Sequence, residues 1–210
     1  MSRKKMPNLK PVHCDGFFCG ALMDKLLACA NTFESLIDTE YHILIAHKNN
    51  RLNLKINFNA IDFHHLMGLG KLKDLRIHRD NRTDVFKKIL SGKITYDTIK
   101  RSKYILEIEN RFEPLAHLEE LLDSNYLTFR YRPKNNPTST IIAEFLLSAE
   151  FQNNDIYIFL DKKENAENYF CRSFFPKADK DYTVGQVKYT LLRKEKLTLA
   201  TGESVVQYER

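Results

Sequence analysis

The chain has 210 residues, 43% hydrophobic and 29% charged, a balance that suits a folded domain with a sizeable core and excludes a disordered chain. Its formal net charge of +6 and pI near 9.0 favour acidic partners such as nucleic acid without requiring one. No apolar run approaches the roughly 20 residues that cross a bilayer, and no apolar signal-peptide core follows the basic start Met1–Pro7, so a cytoplasmic protein without membrane contact is expected.

Residues 1–14 read as a loose, basic leader. From about Gly20 to Ile37 the positions Leu22, Leu26, Leu27, Ala30, Phe33, Leu36 and Ile37 recur at helical spacing and predict an amphipathic helix. Tyr41–His47 is β-rich, Lys48–Arg51 is a polar turn, and Leu52, Leu54, Ile56 and Phe58 alternate with polar residues, which together predict a β-hairpin. A helix-favouring stretch at about 60–68 is broken by Gly68 and Gly70. A short helix follows from Thr83 or Asp84 to Leu90, stopped by Ser91-Gly92, and Thr95 is placed to cap the next. Residues 111–122 carry a core-facing stripe of Phe112, Leu115, Leu118, Leu121 and Leu122, interrupted early by Pro114.

The pattern then changes to strands over 127–132, 141–148, 156–160, 169–174 and 187–193, separated by Asn-, Asp- and Pro-rich turns. Short successive strands with polar connections predict an antiparallel meander. The expected fold is α+β: N-terminal helices and a β-hairpin followed by an antiparallel β-meander sheet. A single domain is expected over 15–210, with a helical half over about 15–125 and a sheet half over about 126–202.

The four cysteines are Cys14, Cys19, Cys29 and Cys171. Cys14 and Cys19, even with His13, lack the second pair that a zinc site needs, so reduced thiols acting as small hydrophobes are expected, with no metal and no cofactor. Phosphate-loop, dinucleotide-fingerprint, HExxH and GxSxG motifs are all missing from the sequence.

Three constellations bear chemistry. His64, His65 and Lys71 surround the glycine-punctuated turn at 68–70, joining groups that transfer protons near neutral pH to a cation that suits phosphate. Adjacent residues on a helix point about 100° apart, so at most one of the two histidines is a direct proton-transfer group. In Cys171–Pro176, strand alternation puts Phe170, Arg172 and Phe174 on one face and Cys171 and Ser173 on the other. An arginine between aromatics either meets an anion or lays its methylenes over apolar surface. Gln186, Lys188 and Thr190 form a polar row on one strand face, which suits phosphate and base contacts and equally a solvated sheet face.

The segments Phe63–Leu69, Ile89–Tyr96, Leu121–Asn125, Cys171–Pro176 and Tyr182–Gln186 carry a family likeness. Over roughly residues 35–202 the chain resembles the phage-associated nuclease-like proteins of the barnase–EndoU–colicin–RelE (BECR) superfamily. The resemblance implies helices ahead of a four-stranded antiparallel sheet and a metal-independent ribonuclease of phage, prophage or plasmid origin. It implies attack of a ribose 2′-hydroxyl on the adjacent phosphate, with His64 or His65 as base or acid. Arg172 and Lys71 would hold the phosphate, while Ser173, Gln186, Lys188 and Thr190 would orient RNA. An antitoxin or immunity protein is then an expected partner. The rival expectation is a non-catalytic binding module of a mobile element, holding nucleic acid or a host protein.

Overall fold

The computed structural model describes residues 23–164 and 166–210. The leader at 1–14, the first residues of the expected opening helix and the Cys14, Cys19 and His13 group lie outside the described residues.

Helix α1 is Lys25–Ile37, and Asp24 starts it by accepting the backbone N–H groups of Leu26 and Leu27 at 3.0 Å each. The second oxygen of Asp24 accepts the N–H of Tyr96 at 2.7 Å, so one carboxylate sits at the start of α1 and of a later helix. Strands β1 (Thr39–His47) and β2 (Asn50–Asn57) form the expected hairpin, pairing Tyr41 with Ile56 and Ile43 with Leu54. Helices α2 (Ala60–Met67), α3 (Arg82–Leu90) and α4 (Tyr96–Ile99) follow, the last with Thr95 as its cap. The stripe at 111–122 divides into α5 (Phe112–Ala116) and α6 (Leu118–Asp123), with His117 between them. Pro114 is third in α5, where a backbone N–H would have no partner within the helix, so it does not interrupt the turn.

Strands β3 (Leu127–Arg130), β4 (Phe145–Phe151), β5 (Asn154–Lys162) and β6 (Tyr169–Pro176) are antiparallel neighbours in chain order. The meander goes no further. Strand β7 (Val187–Thr198) pairs with β3 through Phe129 and Lys188, then with β1 through Leu44 and Arg193, while β2 meets β6 at the parallel pair Ile56–Tyr169. The circuit β1-β2-β6-β5-β4-β3-β7 closes on itself, with β8 (Ser204–Glu209) added along the later half of β7. The expected meander sheet is therefore corrected to a closed barrel that includes the hairpin. Closure follows from the 12-residue length of β7, which reaches both β3 and β1 and leaves neither edge unpaired.

One face of these strands packs against the helices. Tyr41 and Ile43 of β1, Ile56 of β2 and Phe145 and Leu147 of β4 share a buried cluster with Phe33 of α1 and Phe63 and Leu66 of α2. The opposite face carries a second cluster of Phe129, Tyr131, Leu146, Tyr157 and Phe159, covered by Ile141, Phe175 and Tyr182. Burial on both faces explains why β4 and β5 read as continuous apolar runs rather than alternating ones. Lys194 of β7 is fully buried and donates to the carbonyls of Leu122, Asp123 and Ser124 at the end of α6, and burial pulls its pKa down to about 8.

The face assignment in β6 is also corrected. The register steps from Leu160–Cys171 to Phe159–Ser173, so Arg172 is the extra residue of a β-bulge. Cys171 and Phe174 consequently belong to the same helix-facing cluster, while Phe175 joins the opposite one. Phe174 therefore does not share a face with Arg172 as simple alternation would have it, whereas Phe170, before the bulge, keeps its ring within reach of the Arg172 guanidinium.

Candidate functional site

The site is built around the C-terminal end of α2. Gly68 closes that helix in the left-handed conformation (φ 80°), and its N–H donates to the carbonyls of His64 and His65. The Leu66 carbonyl, left over by the helix end, accepts from Nη1 of Arg111 at 2.9 Å. Arg111 closes a short 3₁₀ turn, Glu109–Arg111, immediately before α5.

Arg111 is 7% exposed, its Nε has no hydrogen-bond partner, and among the described residues no carboxylate pairs with it. Burial draws its pKa down to about 10, which leaves it protonated at neutral pH. An unpaired buried guanidinium is costly in a finished core, and the cost falls when an anion can reach it. One can. Arg111 lines a cleft of about 460 Å³ together with Lys71, Asn110 and Glu107 from the helical side. The facing wall is Thr138, Ser139, Thr140, Ser173, Phe175 and Tyr182.

The Arg111 guanidinium carbon lies 5.8 Å from the centre of the Phe175 ring. Lys71 donates to the Glu107 carbonyl at 3.3 Å and stands 3.9 Å from its carboxylate. Burial and the neighbouring Arg111 lower the Lys71 pKa. The cleft thus holds two cations against the one carboxylate of Glu107, with hydroxyls from five residues around them. It suits a phosphodiester: charge at one end and hydrogen-bonding groups along the walls.

The expected site residues are distributed as follows. Lys71 and Ser173 both line the cleft. His64 is 3% exposed, its Nε2 donates to the Ile77 carbonyl at 3.2 Å, and burial lowers its pKa. Because a carbonyl only accepts, Nε2 carries the proton in that contact. His65 lies on the exposed side of α2, and its pKa is lowered by desolvation and by the charges of Arg82, Arg172, His64 and Arg111. Arg172 is exposed at the bulge, 5.9 Å from the Phe170 ring centre.

Gln186 turns its amide onto the backbone of Arg132, accepting its N–H at 2.8 Å and donating to its carbonyl at 3.4 Å. That side chain adds a rung to the β3–β7 pairing. Lys188 and Thr190 line a different cavity of about 510 Å³, with Tyr208 and Arg210. Sequence reasoning missed Arg111, Tyr182 and the 138–140 segment. For Arg111 a signal existed: it lies within the apolar pattern Ile108, Phe112, Leu115 at helical spacing, where a charge needs a reason.

Among the described residues no group of three His, Cys, Asp or Glu side chains lies together as a metal site, and no helix is long and apolar enough to cross a membrane. Neither the curated proteins nor the solved structures contain a match to this chain. A family model does match, over residues 25–210, and it spans the helices, the whole barrel and every wall of the Arg111 cleft. By that match the chain belongs to PBECR4, the phage-Barnase-EndoU-ColicinE5/D-RelE like nuclease4 family.

Proposed function

We propose that the protein is a metal-independent endoribonuclease of phage or mobile-element origin that cleaves RNA by attack of the 2′-hydroxyl on the adjacent phosphate. The observation that carries this reading is the buried, carboxylate-free guanidinium of Arg111 opening onto a hydroxyl-lined cleft. Arg111 and Lys71 hold the non-bridging oxygens, and Ser173 donates to the same phosphate. Arg172, exposed next to Ser173 in the chain, supplies further charge and already acts on His65.

His65 takes the 2′-hydroxyl proton. Its lowered pKa keeps it neutral, and so able to accept a proton, at neutral pH. The 2′-oxygen bonds to phosphorus, the bond to the 5′-oxygen breaks, and that oxygen leaves with a proton from the Lys71 ammonium. The products are a 2′,3′-cyclic phosphate and a 5′-hydroxyl. His64 supports the helix through Ile77 rather than transferring protons. An antitoxin or immunity protein would inhibit such an enzyme most directly by covering this cleft.

A second reading, a binding module without catalysis, is favoured by one observation: among the described residues no histidine lines the cleft. The two readings separate when total RNA is incubated with the protein in excess EDTA, beside His65→Ala and Arg111→Met. Fragments ending in 2′,3′-cyclic phosphate with the wild type, lost with both variants, support the ribonuclease. Intact RNA that is nevertheless bound supports the module.

A further inference from the structure

The cleft has two chemically different walls, which approach each other where Arg111 lies over Phe175, and the phosphate accounts for only one. The cations come from the helical side, at Lys71 and Arg111. The far wall offers the rings of Phe175 and Tyr182, which meet at 5.6 Å between centres, together with the segment Thr138–Thr140. Phe175 is held from behind by Phe159, stacked at 5.6 Å and 28°, and Tyr182 meets Phe159 and Tyr157 edge-on. These rings are braced, so a planar ligand meets a surface whose ordering has already been accomplished by the fold.

The wall segment is equally distinctive. Residues 139–143 belong to no helix or strand, and Thr138 and Thr140 are exposed. The segment is anchored at one end by Lys180, which donates to Thr138 Oγ1 at 2.9 Å, and braced within by the Ile141 N–H, which donates to Ser139 Oγ at 3.2 Å. It therefore presents the hydroxyls of Thr138, Ser139 and Thr140 to the same cleft as the two rings. The volume of about 460 Å³ falls within the range of roughly 300–1,000 Å³ typical of single small-ligand pockets.

We propose that this far wall is a nucleobase subsite: the base next to the scissile phosphate lies against Phe175 and Tyr182 with its edge toward Thr138–Thr140, so the substrate is an unpaired nucleotide. A base inside a duplex has both faces covered by its neighbours and its pairing edge occupied, and cannot enter such a wall. The proposal rests on the phosphate reading of Arg111 and deepens it, since it assigns substrate class to the same cleft.

The test compares binding of the four nucleoside 3′-monophosphates with binding of inorganic phosphate, by titration calorimetry, to the wild type and to three variants. At least one nucleotide is expected to bind the wild type tenfold or more tighter than phosphate. Tyr182→Leu should lower nucleotide affinity about tenfold more than phosphate affinity and so remove that preference, a loss in keeping with a stacked base. Tyr182→Phe, which keeps the ring and the packing, should retain it. Lys71→Gln should weaken both ligands.

Equal binding of nucleotides and phosphate overturns the base subsite while the Arg111 phosphate site stands. Loss of preference in Tyr182→Phe as complete as in Tyr182→Leu overturns stacking as its basis. Failure of the wild type to bind either ligand overturns the subsite and the phosphate reading beneath it.

Discussion

Gly68 makes room for Arg111: a Cβ at position 68 would stand 3.3 Å from the guanidinium carbon and 2.9 Å from Cγ2 of Ile108. The glycine that ends α2 in the left-handed conformation is also the one that lets a buried cation reach the Leu66 carbonyl. Helix termination and the seating of Arg111 are one local event, which ties stability to the cleft at a single residue.

Gly68→Ala should therefore be costly twice. The positive φ disfavours any side chain by about 1–2 kcal/mol, and the contact with Ile108 adds to it. Urea denaturation should show a loss of at least about 1 kcal/mol, and phosphate affinity should fall with it because Arg111 is displaced. An unchanged denaturation midpoint would contradict the tight approach.

Arg111→Met separates charge from volume. Removing the guanidinium leaves the Leu66 carbonyl unpaired, at about 1–3 kcal/mol, and removes the burden of a buried charge, so the two partly cancel in stability. RNA cleavage should nonetheless fall by about 100-fold or more, because the developing phosphorane charge loses one of the two cations proposed to hold it. Thermal melting and cleavage rate, measured on the same preparation, check the divergence.

His64 should make the protein acid-sensitive. Its native pKa lies below the ordinary 6.5, so as pH falls through 6.5 the unfolded chain takes up a proton that the native state refuses. Stability is then full above that value and declines below it. His64→Gln, whose amide is able to donate to the Ile77 carbonyl, should flatten the decline. Comparing urea midpoints at pH 7.5 and pH 5 for both proteins tests this.

His65 predicts the pH profile of cleavage. A base whose pKa is lowered by desolvation and by Arg82 and Arg172 gives a rate that is held down to below pH 6.5 before it falls. His65→Ala should lower the rate by about 10² to 10⁴ and abolish that acid limb. A surviving limb with the same midpoint would assign the proton transfer to another group.

Much of the local structure was legible in the sequence because it depends on spacing within a few residues. The 3.6-residue recurrence through Leu26, Ala30, Phe33 and Leu36, the alternation through Leu54 and Ile56, and the Thr95 cap each name an element that the fold contains. The opening helix begins at Lys25 within the described residues, and β8 was not foreseen, since Ser204–Glu209 has few apolar partners and exists only as the return strand of β7.

By itself, then, the sequence determined the α+β character, the hairpin, the resemblance to BECR nucleases and two residues, Lys71 and Ser173, that line the cleft. These are properties of neighbouring residues and of motif order. Only the tertiary structure decided that β7 closes a barrel by pairing with both β3 and β1. It alone decided that a one-residue bulge turns Arg172 out of its strand pattern, that His64 is buried on Ile77, and that Arg111 meets Ser173 and Tyr182 across one cleft. Each of those joins residues far apart in the chain, and their positions are set by long-range packing and strand register, which no local period encodes.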